Sequence, residues 1–96
     1  MTIDEVKIKV LPVLKQYRIT RAGVFGSVAK GTANERSDVD MLVELDPKYD
    51  LLDFIGIKQA LESSLEKKVD LVEYRSVKPS LKDNILNSEV LIYAQG

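Results

Sequence analysis

The amino-acid sequence predicts one small α/β domain that fills residues 1–96. Segments with apolar residues at helical three- and four-residue spacing alternate with short β-prone segments, and no repeat or linker-like stretch divides the chain. Hydrophobic residues make up 45% of the chain and charged residues 30%, which is typical of a globular protein rather than a disordered one. A chain of this length buries a modest core, so we expect a large substrate to bind at its surface.

The first predicted helix covers residues 2–17, where apolar side chains recur on one face. Thr2 and Glu5 form a capping-box pattern at its start. Pro12 lies inside this segment, and an interior proline costs ~3 kcal/mol in a helix. We therefore expect a kink at Pro12 or a second helical segment that begins near it.

The first predicted strand covers residues 19–25 and runs into a tight turn at Gly26 and Ser27. The polar stretch that follows, up to residue 37, has room for one short helical turn before a loop. A second strand is predicted over residues 38–45, because its alternate positions are apolar. The opposite face of that strand begins with two acids.

A helix is predicted from about Asp50, where Asp50 or a neighbour can cap it, to about Lys67. Its apolar side is predicted to consist of Leu51, Leu52, Ile55, Leu61 and Leu65. We expect this side to face the core.

The last third of the chain predicts a strand, a helix and a final strand. The strand covers residues 69–74 and places Asp70 on the same face as Val72 and Tyr74. Pro79 suits the first position of the helix, and residues 89–94 form the final strand. If that strand is an exposed edge of the sheet, it is a candidate docking surface.

The absence of His, Cys and Trp excludes several kinds of chemistry. Imidazole bases, thiolate nucleophiles, disulfides and the usual Cys/His zinc sites cannot be built from this chain. If the protein is an enzyme, its working groups are carboxylates, hydroxyls, Lys or Arg, backbone amides or a bound ion.

The charge distribution bears on possible partners. Fourteen Lys and Arg residues are spread along the chain against fifteen acids, for a net charge of −1. Phosphate backbones are held by clustered cations, so we expect no direct nucleic-acid binding. No apolar run approaches the ~20 residues of a membrane span, and charges interrupt the N-terminus. We expect a cytoplasmic protein without a membrane partner.

Two aspartates separated by one residue carry the strongest chemical signal. Asp38 and Asp40 point to the same side of the predicted strand, with Cα atoms about 6.7 Å apart. Their charges repel, and a divalent cation removes that repulsion. Hard oxygen ligands without nitrogen or sulfur favour Mg²⁺ or Mn²⁺. Asp70, on another strand, could complete this metal site.

The Gly-Ser turn suits the binding of a polyphosphate. Gly26 allows a close approach of the backbone, and amides at the start of a short helix favour anions. The Ser27 hydroxyl and the Lys30 ammonium add a hydrogen bond and a point charge. Taken alone, the turn, Lys30 and Asp70 each have an ordinary structural interpretation. Together with the paired acids, they indicate a metal-bound nucleotide.

Three elements of this region follow one another in a fixed order: Gly26-Ser27, Gly31 and Ser37-Asp38-Val39-Asp40. They resemble the GSxxxG(x)nSDxD signature of the DNA polymerase β-like nucleotidyltransferases. The sequence of residues 24–45 and the short length of the chain resemble those of the minimal nucleotidyltransferase (MNT) antitoxins of HEPN/MNT toxin–antitoxin pairs. The resemblance implies a small mixed β-sheet packed with helices.

The resemblance also implies roles for individual residues. Asp38 and Asp40 would hold two Mg²⁺ ions, and Asp70 would bind one of them and help to activate the acceptor hydroxyl. Gly26 and Ser27 would hold the β and γ phosphates of ATP. The acceptor in such systems is similar to a tyrosine of the cognate HEPN ribonuclease, which AMP transfer silences.

Two further positions belong to the expected nucleotide site. Lys30 stands where many members of the family have Arg, which keeps the charge but loses the bidentate fork. Ser37 precedes the paired acids in the signature and is a candidate nucleotide contact.

Three other functions compete with AMP transfer to a toxin, and the most distant of them is a metal-binding protein that uses no nucleotide. The chain could neutralise the toxin by binding and masking it without catalysis, although the presence of all three carboxylates disfavours this. An antibiotic nucleotidyltransferase is also disfavoured, because 96 residues leave no room for a second domain that binds the acceptor.

Overall fold

The computed structural model describes residues 1–34 and 36–95. Glu35 and Gly96 belong to the predicted domain but lie outside the described residues. In chain order the elements are α1 (Ile3–Gln16), β1 (Arg21–Phe25), α2 (Gly26–Lys30), β2 (Val39–Glu44), α3 (Leu51–Leu65), β3 (Val69–Glu73), a 3₁₀ turn (Tyr74–Ser76), α4 (Pro79–Ser88) and β4 (Val90–Ala94).

The four strands form one mixed sheet in the order β3-β2-β1-β4. β1 pairs antiparallel with β2 and β4, whereas β2 and β3 run parallel. The α3 helix supplies the crossover that a parallel pair requires. This architecture confirms the predicted fold class, and β3 and β4 form the two edges of the sheet.

Helix α1 begins where its sequence pattern indicates. The Thr2 hydroxyl accepts a hydrogen bond from the Glu5 amide at 3.2 Å, which caps the helix. The helix continues through Pro12, so the expectation of a second helical segment there was wrong. Pro12 removes the helical partner of the Ile8 carbonyl, but Ile8 is 73% exposed and water can replace that partner.

One face of the sheet packs against α1 and α3 to form the core. Alternate residues of the two central strands lie on this face, among them Ala22, Val24, Met41 and Val43. The helices contribute Val6, Val10 and Leu14 from α1 and Ile57, Leu61 and Leu65 from α3. Leu42 lies on the opposite face and is also buried, so β2 has apolar burial on both sides.

The prediction for the apolar side of α3 was wrong over its first two turns. Leu51 is 71% exposed, Leu52 76% and Ile55 41%, although the sequence pattern placed all three in the core. Asp50 caps the helix as predicted, in a reciprocal capping box with Asp53. The second half of the helix packs on the sheet, and the first half extends beyond it.

Candidate active site

The three predicted acids lie at one end of the sheet, on the face opposite the core. Asp40 is the second residue of β2, and it pairs in register with Phe25 on one side and Asp70 on the other. Neighbouring strands are about 4.8 Å apart, so the Asp40 and Asp70 side chains leave the sheet side by side. Asp38 comes just before β2, two residues from Asp40, and is exposed.

Negative charge accumulates around Asp40. Partial burial raises the pKa of its carboxyl above the ordinary value, and the charges of Asp70 and then of Asp38 raise it further. All three influences act in the same direction. Asp40 is therefore the carboxylate that gains most from the arrival of a cation.

The residues at this end of the sheet fit a hard divalent ion. They offer carboxylate oxygens only, which suit Mg²⁺ or Mn²⁺. Among residues 1–34 and 36–95, no three acidic side chains are already close enough to count as a formed metal cluster. Binding an ion between Asp38, Asp40 and Asp70 thus requires side-chain rotation, for which the exposed Asp38 and Asp70 are free of surrounding packing.

Gly26 lies directly against the Asp40 carboxylate. Its φ of +69° belongs to the left-handed region that glycine adopts without strain. A Cβ atom at this position would lie 2.2 Å from Asp40 Oδ2. The signature glycine therefore serves both the turn from β1 into α2 and the close approach of that turn to the acids.

The α2 helix holds Ser27 and Lys30 at its two ends. Ser27 follows Gly26 in the first turn, and its carbonyl accepts a hydrogen bond from the Thr32 amide at 2.9 Å. Gly31 ends the helix with a φ of +74°. Lys30 is exposed and lines a groove beside the start of α1. The structure thus brings Gly26 and Ser27 next to the acids and places Lys30 at the far end of α2.

Ser37 organises the loop between α2 and β2. Its hydroxyl oxygen accepts a hydrogen bond from the Asn34 amide at 3.0 Å. The Asn34 side-chain oxygen in turn accepts one from the Arg36 amide at 2.8 Å. These contacts fix the chain just before Asp38, so the structure shows a loop-closing role for Ser37.

A second charged cluster on the same face of the sheet was not predicted from the sequence. We call it the Glu89 cluster, and it consists of Glu89, Tyr74 and Arg21. The Glu89 side chain is only 6% exposed, accepts a hydrogen bond from the Tyr74 hydroxyl and pairs with Arg21 at 3.4 Å. The Arg21 guanidinium also lies 4.5 Å from the centroid of the Tyr74 ring.

Gly23 makes room for the Glu89 cluster. A Cβ atom on Gly23 would lie 2.2 Å from Glu89 Oε2. Burial raises the pKa of the Tyr74 hydroxyl, and its hydrogen bond to Glu89 adds to the rise. The cluster joins Tyr74 and Glu89, which lie on either side of α4, to Arg21 in β1. The predicted strand over residues 69–74 included Tyr74, and that part of the prediction was wrong, because β3 ends at Glu73 and Tyr74 begins the 3₁₀ turn.

Comparison with known proteins settles the family. The protein family described as "Polymerase beta, Nucleotidyltransferase" matches residues 8–96, which is nearly the whole chain. The chain belongs to this nucleotidyltransferase family. Family membership confirms the resemblance that the signature at residues 26–40 suggested.

Two relatives of the nucleotidyltransferase chain have names that concern protein substrates. A Methanocaldococcus jannaschii protein provisionally named as a protein adenylyltransferase is 44% identical over 90 residues, which cover 94% of this chain and 97% of that protein. The protein adenylyltransferase MntA of Thermococcus cleftensis is 37% identical over 78 residues, which cover 81% and 79% of the two chains.

A solved structure shares the fold. A chain in the crystal structure of a toxin–antitoxin with AMP-PNP superposes with a TM-score of 0.80 at 25% identity. The match covers 93% of this nucleotidyltransferase and 73% of that chain. No helix within the part of the chain that the structure describes is long and apolar enough to cross a membrane.

Proposed function

We propose that the chain is an antitoxin that transfers AMP from ATP to a tyrosine hydroxyl of a cognate HEPN ribonuclease toxin. The observation that carries this proposal is the register pair of Asp40 and Asp70 with Gly26 against the Asp40 carboxylate. Family membership supports the transfer of a nucleotide, and the named relatives support a protein as its acceptor.

We assign roles to the acids from the family resemblance, and their positions are consistent with those roles. Asp38, Asp40 and Asp70 would hold two Mg²⁺ ions, which Mn²⁺ could replace. When bound, such ions neutralise the triphosphate and lower the pKa of the incoming hydroxyl. Asp70 is exposed at the edge of the sheet, so an acceptor from a second protein can reach it. The family relationship supports the metal requirement, and the donor set is consistent with it.

The triphosphate would lie over the turn from β1 into α2. The Gly26 backbone leaves space beside the acids, and the Ser27 hydroxyl would donate a hydrogen bond to a phosphate oxygen. Lys30 would attract the phosphates from the far end of α2, and Ser37 would contribute by holding the loop before Asp38. Such an arrangement would bring the α-phosphorus near the three carboxylates.

The reaction forms one P–O bond and breaks two bonds, the O–H bond of the tyrosine and a P–O bond of ATP. The tyrosine oxygen attacks the α-phosphorus in line, its proton is released, and the bond to the oxygen that bridges the α and β phosphates breaks. Pyrophosphate leaves, and the tyrosine keeps AMP. Since ATP and an RNA-cleaving partner are cytoplasmic, we propose that the reaction takes place there.

Intact-mass spectrometry of the toxin tests the proposal. The purified chain with ATP and MgCl₂ is expected to raise the mass of the toxin by one or more AMP units, and EDTA is expected to prevent the increase. A toxin that binds this chain but never gains AMP would contradict the catalytic function. Protection of growth that survives the change of both Asp38 and Asp40 to Ala would instead favour masking.

A further inference from the structure

An apolar surface lies at the end of the sheet away from the acids. We call it the α3 patch, and it consists of Leu51, Leu52 and Ile55 together with the groove beside them. The groove has a volume of about 440 Å³. Its apolar walls are Leu45, Tyr49, Phe54 and Leu71.

The groove is held open by contacts within the chain. The Tyr49 hydroxyl donates a hydrogen bond to the Tyr17 carbonyl at 2.5 Å, which fixes the loop that forms one wall. Phe54 and Leu71 pack against the core and form the other side. A partner that enters the groove therefore meets a preformed site and does not have to order it.

Among the described residues, the exposed leucines lie outside the hydrophobic core. Leu51 and Leu52 are more than two-thirds exposed, whereas Leu61 and Leu65 in the second half of the same helix are buried in the core. Contiguous exposed apolar side chains of this kind mark interaction surfaces. We propose that the α3 patch is where the toxin docks, an inference that rests on the proposed function for the identity of the partner.

The charge around the patch favours a cationic partner over a second copy of this chain. Asp50 lines the groove and Asp46 and Asp53 lie close to it in the sequence, against the two cations Lys48 and, three residues after Ile55, Lys58. Arg75, which also lines the groove, is already paired with a neighbouring acid at 3.2 Å. Two copies placed face to face would bring like charges together. A ribonuclease must carry cations that hold RNA phosphates, and such a surface complements this rim.

The patch and the proposed active site share the edge strand β3. β3 lies at the sheet edge, and its residues Leu71–Glu73 line the groove while Asp70 comes one residue earlier in the same strand. At strand spacing, Asp70 is about 10 Å from Glu73. A toxin seated on the α3 patch can therefore extend an acceptor tyrosine around the edge strand β3 to the acids on the opposite face of the sheet.

A matched pair of variants tests this surface. Leu52→Glu adds a further acid to the patch, and Ile8→Glu makes a similar change at a 73% exposed position on α1. We expect Leu52→Glu to weaken toxin binding at least about tenfold and Ile8→Glu to change it less than about twofold, measured by calorimetry. Both variants should bind AMP-PNP as the wild-type chain does.

The kinetics provide a second readout. Leu52→Glu should raise the KM for the toxin, and high toxin concentrations should restore the rate of AMP transfer, because Leu52 lies outside the chemical site. Equal binding by Leu52→Glu and wild type would overturn the inference, as would equal losses in both variants or a wild-type chain that does not bind the toxin. A wild-type dimer that Leu52→Glu dissociates would show that a second copy covers the patch.

The same experiment separates this inference from the proposed function. If the wild-type chain binds the toxin without transferring AMP, and Leu52→Glu loses that binding, then the docking surface stands and the catalytic function fails. If AMP transfer occurs but Leu52→Glu binds normally, the catalytic function stands and the docking surface fails.

Discussion

Two glycines of one short segment each lie against a carboxylate, and the two sites differ in how that carboxylate is compensated. At Gly23 the neighbour is Glu89, and at Gly26 it is Asp40, with a hypothetical Cβ 2.2 Å from the oxygen in both cases. Glu89 accepts a hydrogen bond from Tyr74 and pairs with Arg21. Asp40 has the charges of two other aspartates beside it.

The comparison separates a structural acid from a functional one. The Glu89 carboxylate is satisfied by its own chain, so it joins the ends of the α4 segment to the sheet. Burial and the charges of Asp70 and Asp38 raise the pKa of the Asp40 carboxyl, so the fold holds its charged form at a cost in stability. A bound cation would remove that cost.

The largest expected effect is the loss of catalysis in Asp40→Asn. AMP transfer to the toxin should fall at least about 100-fold, because a metal ligand is lost. The metal-free variant should nevertheless melt at a higher temperature than wild type. Because the pKa of Asp40 is raised in the folded state, the protonated carboxyl contributes stability below pH 3.8. This stability is lost as the pH rises through the folded-state pKa, so the charged carboxylate destabilises the fold at neutral pH. An unchanged or lower melting temperature would contradict this explanation.

Gly26→Ala should affect activity and stability together. The left-handed backbone costs about 1–2 kcal/mol for alanine, and the new methyl group displaces the Asp40 carboxylate. The matched control is Gly31→Ala, which has a φ of +74° but nothing within 4 Å of the new Cβ. We expect both variants to lose stability in urea titrations, and only Gly26→Ala to lose at least about tenfold in AMP transfer. Equal transfer by the two variants would show that the contact with Asp40 is unimportant.

Gly23→Ala should reverse that pattern. The methyl group would force Glu89 away from its partners, so unfolding should become easier by about 1–3 kcal/mol. AMP transfer measured well below the melting temperature should stay within about twofold of wild type. A strong loss of transfer in a folded Gly23→Ala variant would show that the Glu89 cluster also contributes to catalysis. Glu89 could then no longer be separated from Asp40 as a purely structural acid.

The smallest expected effect is a pH dependence of stability that comes from Tyr74. Its pKa is raised above 10.0 by burial and then by its hydrogen bond to Glu89. The folded state therefore keeps the proton more tightly than the unfolded state. The stability that this provides is complete below pH 10 and is lost as pH rises further. The difference in unfolding free energy between wild type and Tyr74→Phe should shrink above pH 10, with Tyr93→Phe as the control.

The sequence predicted the elements and the acids because both depend on local patterns. Alternating apolar residues identified β2, and the spacing of Asp38 and Asp40 placed them on one side of it. The pairing of Asp40 with Asp70 follows once the two strands are parallel neighbours. Capping residues such as Asp50 set the helix starts within one residue.

Features that depend on where the sheet ends could not be predicted in this way. Helical spacing places Leu51 and Leu52 on the predicted core-facing side of α3. Whether they reach the core depends on the length of β2 and β3, and both residues extend beyond it. The Glu89 cluster joins Arg21 and Glu89, which are 68 positions apart, and no local pattern predicts such a contact. Pro12 was tolerated because its side of α1 faces solvent.

Calorimetric titration of Mn²⁺ in the presence of AMP-PNP tests the central distinction most directly. The matched variants are Asp40→Asn and Glu89→Gln, which each convert one carboxylate to an amide next to a glycine. Wild type and Glu89→Gln are predicted to bind Mn²⁺ with the same affinity, and Asp40→Asn is predicted to bind it at least about 100-fold more weakly. Equal binding by Asp40→Asn and wild type, or an equal loss in Glu89→Gln, would contradict the account.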